Sequence, residues 1–256
     1  MRVVDGSFTS LSVEDARELR AQGIEAWVQC LWTGNQQPSF RVANLRNALA
    51  GGLMIAGYIS VTGSYDGQWH VNYGRYGVPD DIWAQLKLVF IDVELPGIPE
   101  STVRGAVDVL TEEVMGAKRR AIYTSHHAWT DLMGDPTSFT DCLLWNAYWD
   151  EDPDIDFTHL PFGGWTVDQL VGEQYTGGTD VGNVFVDLNE FNGGLFSPAE
   201  EYEMDAEIEK QLKRSMVCQR WGAMIATGDD AQVEQALREI VFVRVMAGLP
   251  PVPEAK

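Results

Sequence analysis

The strongest constraint on what this chain can fold into is an alternation. Eight short apolar runs have strand character: "RVVD", "EAWVQCLW", "LMIAGYIS", "KLVFIDVEL", "RRAIYTS", "CLLWNAYW", "DQLVGEQY" and "NVFVDLN". Between the early ones lie segments with helical spacing and helical end signals. Strands alternating with helices favour a parallel sheet with crossover helices. With 45% hydrophobic content, 256 residues can bury a core of barrel or doubly wound size, with or without a small appendage.

The helix signals support this order. Ser12-Val-Glu-Asp15 has the form of a capping box for a helix through Arg20 that ends near Gly23. "RVANLRNALA" reads as a helix stopped by Gly51-Gly52. After a loop rich in glycine and aromatics, Pro79-Asp80-Asp81 opens a short helix. From Pro99, the residues Val103, Ala106, Val107, Leu110 and Val114 follow the three-four spacing of one helix face, so that segment packs on the sheet. Later connections are irregular and rich in Gly, Pro and Asp. The expected fold is α/β: an irregular, TIM-like β/α barrel over residues 1–196, its first five β/α units regular and its last three strands poorly connected by helices.

Composition removes several functions. A net charge of −20, with 18 scattered Lys and Arg, argues against a nucleic-acid partner, because neutralising phosphates needs clustered cations. Cys30, Cys142 and Cys218 are odd in number and far apart, which predicts no disulfide framework. No C-x-x-C or paired-His spacing predicts a metal, and nothing points to a cofactor. His126 and His127 read as capping or surface residues. No segment reaches eighteen apolar residues, so no membrane span is expected. The start "MRVVDGSFTS" lacks the basic, apolar and cleavage regions of a secretion signal, which predicts synthesis in the cytoplasm without a signal peptide.

"VFIDVEL" poses the functional question, because it places Asp92 and Glu94 at alternate positions of an apolar strand, where charge is costly to bury. In a β/α barrel the working residues sit at the C-terminal ends of strands. Asp5, Asp92 with Glu94, and Asp187 each fall at the end of a strand candidate, so one barrel mouth gathers four carboxylates from three parts of the sequence. An exposed edge strand is the bland alternative, and the apolar flank Leu88 to Ile91 argues against it.

Those acids sit in strings that resemble the family 25 glycoside hydrolases, lysozymes with an irregular β/α barrel. "VVDGS" is similar to the family's Asp-x-Ser start, and "NLRNALAGGLMIAGY" to its helix and aromatic strand end. "VFIDVE" matches its Asp-x-Glu strand; "AIYTS", "LWNAYW", "EQYT" and "VFVDLNEFNG" follow in family order. The resemblance spans about residues 2–194. Two departures lie near the expected sugar cleft: Ile59-Ser60 stands where the family usually has His-Phe, and "QCLWTGN" where a Lys is common. A chitinase motif would place acids at the positions of Lys87 and Phe90, which disfavours that class.

The resemblance implies a lysozyme-type hydrolase acting on the peptidoglycan glycan, at the bond from N-acetylmuramic acid to N-acetylglucosamine. It assigns the general acid to Glu94, substrate-amide orientation or charge stabilisation to Asp92, and the pocket floor to Asp5 and Asp187. Tyr58, Tyr123, Trp145, Tyr148, Gln174 and Tyr175 stand in the family strings as substrate-binding candidates. The chemistry agrees: one carboxylic acid protonates the leaving oxygen and a second negative group steadies the positive centre. Residues two apart on a strand lie roughly 6.5–7 Å apart on one side, and the acid in drier surroundings is expected to keep its proton. A phage lysis or virion-associated enzyme acting on the bacterial wall fits; a non-catalytic glycan-binding or phage structural barrel is the rival.

Residues 197–256 read as a C-terminal helical hairpin. Ser197-Pro198 with Glu200 starts a helix, Gly228-Asp229-Asp230 breaks it, and a second helix ends at Gly248. Val233, Leu237, Ile240 and Val241 make an apolar stripe that must dock. Packing outside the barrel is the first expectation. Self-association through these helices or a wall-binding module are the others, the last disfavoured by the acidic content against anionic polymers.

Overall fold

Inward and outward positions alternate along each strand, and eight such strands close on one another in the computed structural model. It describes residues 1–112, 115–116, 118–155 and 161–195. The barrel runs in sequence order through β1 (Arg2–Gly6), β2 (Ala26–Trp32), β3 (Met54–Ser60), β4 (Val89–Asp92), β5 (Ala121–Ser125), β6 (Leu143–Ala147), β7 (Leu170–Val181) and β8 (Val184–Phe191). The expected C-terminal helices and Val114 lie outside the described residues.

Helices α1 (Val13–Ala21), α2 (Arg41–Ala50), α3 (Gly67–Arg75), α4 (Asp80–Gln85) and α5 (Glu100–Thr111) connect the first five strands. The capping box at α1 forms as expected: the Ser12 side chain accepts from the Asp15 N–H, and the Asp15 carboxylate accepts from the Ser12 N–H at 3.0 Å. The face Val103, Ala106, Val107 and Leu110 of α5 is buried. One helix went unforeseen. The stretch read as a glycine- and aromatic-rich loop holds α3, started by Asp66, whose carboxylate caps the Trp69 N–H at 2.7 Å. After β5 the connection shrinks to a π-helical turn, Ala128–Leu132.

Strands β1 to β7 are parallel, but β8 runs antiparallel to both β7 and β1. The expectation of a parallel sheet fails at this strand for a local reason. Only Gly182 and Asn183 separate β7 from β8, far too few for a crossover. Gly182 has φ +62°, as the first position of a type II′ hairpin turn requires.

Pleat alternation sorts the core into two layers. Val4, Trp27, Ile55, Ile91, Ile122 and Leu144 face outward and pack with Leu19, Leu45, Val103 and Leu110 of the helices. Val3, Val28, Cys30, Tyr58, Phe90, Tyr123, Trp145 and Phe191 fill the barrel interior. Gly172 admits Phe191 to that interior, since a Cβ there would come within 2.6 Å of the ring. Cys30 and Cys142 are buried free thiols. Among the described residues no helix is long and apolar enough to cross a membrane.

Candidate active site

Alternation carries three of the acids to one place. Asp5 follows the inward Val3, and Asp92 follows the inward Leu88 and Phe90, so both side chains point into the barrel at its mouth. β4 ends at Asp92, yet the Val93 N–H still donates to the Tyr123 carbonyl at 3.0 Å. The chain thus stays paired one residue longer, and Glu94 returns to the same side. Asp187 arrives differently. It is the fourth residue of β8 and the cross-strand partner of Asp5. It reaches the mouth because an antiparallel strand begins there, not because it ends a strand as the sequence suggested. The four acids line one cleft of about 190 Å³ together with Tyr58, Tyr123, Trp145 and Gln174.

Two amides hold the floor. Asp5, 3% exposed, accepts at Oδ2 from Gln174 Nε2 at 3.0 Å and from Asn189 Nδ2 at 2.9 Å. Both amide orientations are fixed from their far ends. Gln174 Oε1 accepts from the Tyr123 hydroxyl at 3.0 Å and from the Trp149 indole N–H at 2.8 Å, while Asn189 Oδ1 accepts from the Trp145 indole N–H at 2.9 Å. Burial and then the charge of Asp187 push the Asp5 carboxyl up to about 8, against the pull of its two amide donors.

Asp92 and Glu94 form a carboxyl pair. Asp92 Oδ2 accepts from the Ser60 hydroxyl, whereas Oδ1 finds no donor among the described residues. Glu94 is the neighbouring acid that acts most strongly on Asp92, and two crowded carboxyls lose least when one keeps a proton. Burial, then the charge of Glu94, raises Asp92 well above the usual carboxylate range. Glu94 is raised first by burial and then by the charge of Asp187, while the polar groups of Asp92 and Tyr123 nearby hold it down. Asp187, half-buried, is raised by burial and opposed by the Gly178 N–H that donates to it.

These positions reverse one expectation. Asp92 is the drier member of the pair, 7% exposed, and Glu94 opens to solvent. Burial therefore penalises ionisation of Asp92 more than that of Glu94. Among the described residues no Lys, Arg or His lines the cleft to offset the acids. Among the described residues no group of His, Cys, Asp and Glu is arranged to hold a metal ion.

Of the aromatic candidates, Tyr58, Tyr123 and Trp145 line the cleft, as does Gln174, but Tyr148 and Tyr175 do not. The reason is the same alternation. With Gln174 turned inward, Tyr175 turns outward, where it is 6% exposed. With Trp145 inward, Tyr148 falls on the other side, and its N–H donates to the Gln174 carbonyl at 3.0 Å. His127 is a surface residue paired with Asp131 at 2.8 Å, and the His126 ring packs edge-on to Phe162.

Sequence reasoning missed Ser7, Phe8, Cys30 and Thr33 as lining residues, and it treated Ser60 only as a departure from a pattern. It also missed Trp149, whose indole N–H reaches Gln174. The alternation rule, applied residue by residue, finds Cys30 and Ser60; nothing in the sequence singles out Phe8.

The mouth of this β/α barrel is lined by carboxylates and aromatics, and comparisons with known proteins place the fold. No protein-family model matches the chain. It is 33% identical over 110 residues to "Probable GH family 25 lysozyme 3" of Dictyostelium discoideum, a match covering 41% of this chain and 22% of that protein. The chain thus spans under a quarter of the length of the curated relatives it matches. The fold is similar to a muramidase from Acremonium alcalophilum, with a TM-score of 0.61 at 19% identity, covering 77% of this chain and 97% of that one. It is also similar to the catalytic domain of endolysin ply40 from bacteriophage P40 of Listeria monocytogenes, with a TM-score of 0.57 at 13% identity over 77% and 96% of the two chains. In sequence over part of its length, and in fold, the chain resembles glycoside hydrolase family 25.

Proposed function

We propose that this chain is a lysozyme-type glycoside hydrolase that cleaves the glycan strand of peptidoglycan, between N-acetylmuramic acid and N-acetylglucosamine, with Glu94 as general acid. The observation that carries the reading is the placement of a solvent-facing Glu94 beside a buried Asp92 in a cleft that no cation lines among the described residues. The outer acid can meet a glycosidic oxygen. The inner one, with Oδ1 unpartnered, can accept the N–H of a substrate acetamido group.

Substrate then changes who holds the proton. A sugar covering Glu94 desolvates it and favours its neutral form, while an amide N–H on Asp92 Oδ1 favours that carboxylate. The proton moves from Asp92 to the neighbouring Glu94. Glu94 delivers it to the glycosidic oxygen as the C–O bond breaks, and the departing sugar leaves as an alcohol. The acetamido oxygen, its group oriented through the N–H that Asp92 accepts, closes on the anomeric carbon; water then attacks that carbon, opens the ring and gives a proton to Glu94. Asp5 and Asp187 keep the floor negative beneath the developing positive charge.

Glu94→Gln keeps size and hydrogen bonding but delivers no proton. Purified peptidoglycan with the intact protein should release reducing ends and no new free amino groups, and Glu94→Gln should cut that release by about 10² or more. Binding of several wall types without reducing ends from any of them would favour a non-catalytic glycan-binding barrel.

A further inference from the structure

We propose that Ser60 is a positioning residue that sets which acid of the Asp92–Glu94 pair carries the proton: its hydroxyl, bonded to Asp92 Oδ2, makes the Asp92 carboxylate attainable so that Glu94 can be loaded. The proposal rests on the hydrolase reading above and deepens it. β3 pairs with β4 in parallel with Ser60 opposite Asp92, so the backbone itself brings the hydroxyl to the carboxyl. Tyr58 and Ser60 share the inward face of β3, which turns Ile59 outward into the helix layer.

The electrostatic setting makes a single hydroxyl decisive. The groups that face Asp92 are Glu94 beyond β4, Asp5 on β1, Cys30 on β2, Tyr58 on β3 and Tyr123 on β5. Asp187 on β8 acts on Asp5 and Glu94. All are acids or neutral at pH 7, and none donates to Asp92 when Glu94 is ionised. Among the described residues Asp5 has two amide donors, whereas Asp92 has Ser60 alone. Without that hydroxyl the Asp92 carboxylate would be buried with no donor, and the proton would stay where Glu94 cannot use it. In strings that otherwise resemble the family, a serine stands where the family usually has phenylalanine, which offers no donor.

The test starts with the substrate-free protein, where carboxyl-carbon NMR follows Asp92 through a pH titration. Ser60→Ala, and Ser60→Val to keep a replacing water out, should raise the Asp92 midpoint by roughly one to two pH units, while Ser60→Thr should restore it. In turnover, Ser60→Ala should lower kcat roughly tenfold or more with little change in KM. Both limbs of the kcat–pH profile should move to higher pH, because the pair loses each proton later. An Asp92 midpoint in Ser60→Val that overlays that of the parent would overturn the proposal, as would a fall in kcat with both limbs unmoved. If the parent protein releases no reducing ends, the hydrolase reading fails, and the NMR midpoint still decides whether Ser60 governs the pair.

Discussion

The barrel is built in two manners, and its acids differ accordingly. From β1 to β4 each strand hands over to a helix, and Asp5 and Asp92 are delivered by pleat alternation to buried positions. From β5 to β8 helical connections give way to a π-helical turn, loops and a hairpin, and Asp187 enters on an antiparallel strand, half-buried and held by the Gly178 N–H. The regular half supplies the carboxyls that water cannot reach. The irregular half supplies Gln174, Asn189 and Trp149, which orient them. The two buried acids of this mouth thus come from the regular half, and the amides and the indole that orient Asp5 come from the irregular one.

Substituting one acid from each half gives the largest contrast. Asp92→Asn removes the proton that the pair shares and leaves an amide where a substrate N–H needs an acceptor, so the rate of reducing-end release should fall by about 10². Asp187→Asn removes only negative charge from a half-buried position and should cost less than tenfold. The reverse order would move the centre of the chemistry to the hairpin.

The same division explains what could be read in advance. All eight strands, and the helices α1, α2, α4 and α5, were legible, because apolar periodicity and end signals act locally. Asp5, Asp92 and Glu94 were legible for that reason too. α3 was hidden because its aromatic residues resemble those of a loop, and its start rests on one Asp66 cap. The direction of β8 was hidden because apolar runs carry no direction; the two residues Gly182-Asn183 held the only clue. Tyr148 and Tyr175 fall outside the cleft lining because family strings carry neighbouring residues together, whereas alternation along a strand turns only every second one inward. The drier acid was misread because exposure at a strand end depends on how far pairing continues, which sequence does not give.

Stability against pH sharpens the comparison within the regular half, where two buried groups pull in opposite directions. Asp5 has a folded pKa of about 8 against an ordinary 3.8, so between these values the folded chain holds a proton that the unfolded chain has released. Stability from this group is full below about 3.8 and is lost as pH rises through 8, at up to about 1.4 kcal/mol per pH unit. His70 accepts the Trp32 indole N–H at Nδ1, 3.0 Å away, and burial lowers its pKa from 6.5. It therefore costs stability only as pH falls below 6.5. Thermal melts followed by circular dichroism between pH 6.5 and 8 follow the raised acids, Asp92 included, and Asp5→Asn removes the share of Asp5. Melting temperature should fall across that range in the parent and fall less in Asp5→Asn, and equal slopes would remove Asp5 as the cause.

The smallest effect belongs to the rim. Trp149 is 68% exposed, its ring lies against Gly177, and its N–H is spent on Gln174, so what it offers solvent is apolar ring surface beside the cleft. Sugar rings present apolar faces of matching size, and an aromatic contact of this kind is worth roughly 0.5–1.5 kcal/mol, or about two- to twelvefold in binding. Phe8 offers the counterpart from the regular half, exposed and lining the same cleft. Trp149→Ala should raise KM for long glycan strands about two- to twelvefold and leave the shortest cleavable fragments less affected. Trp149→Phe keeps a ring but gives up the bond to Gln174, and through it to Asp5. If Phe restores KM, stacking is the function of Trp149. If Phe fails and kcat falls with it, Trp149 acts through Gln174 on the floor acids, and the irregular half reaches further into the chemistry than its exposed position implies.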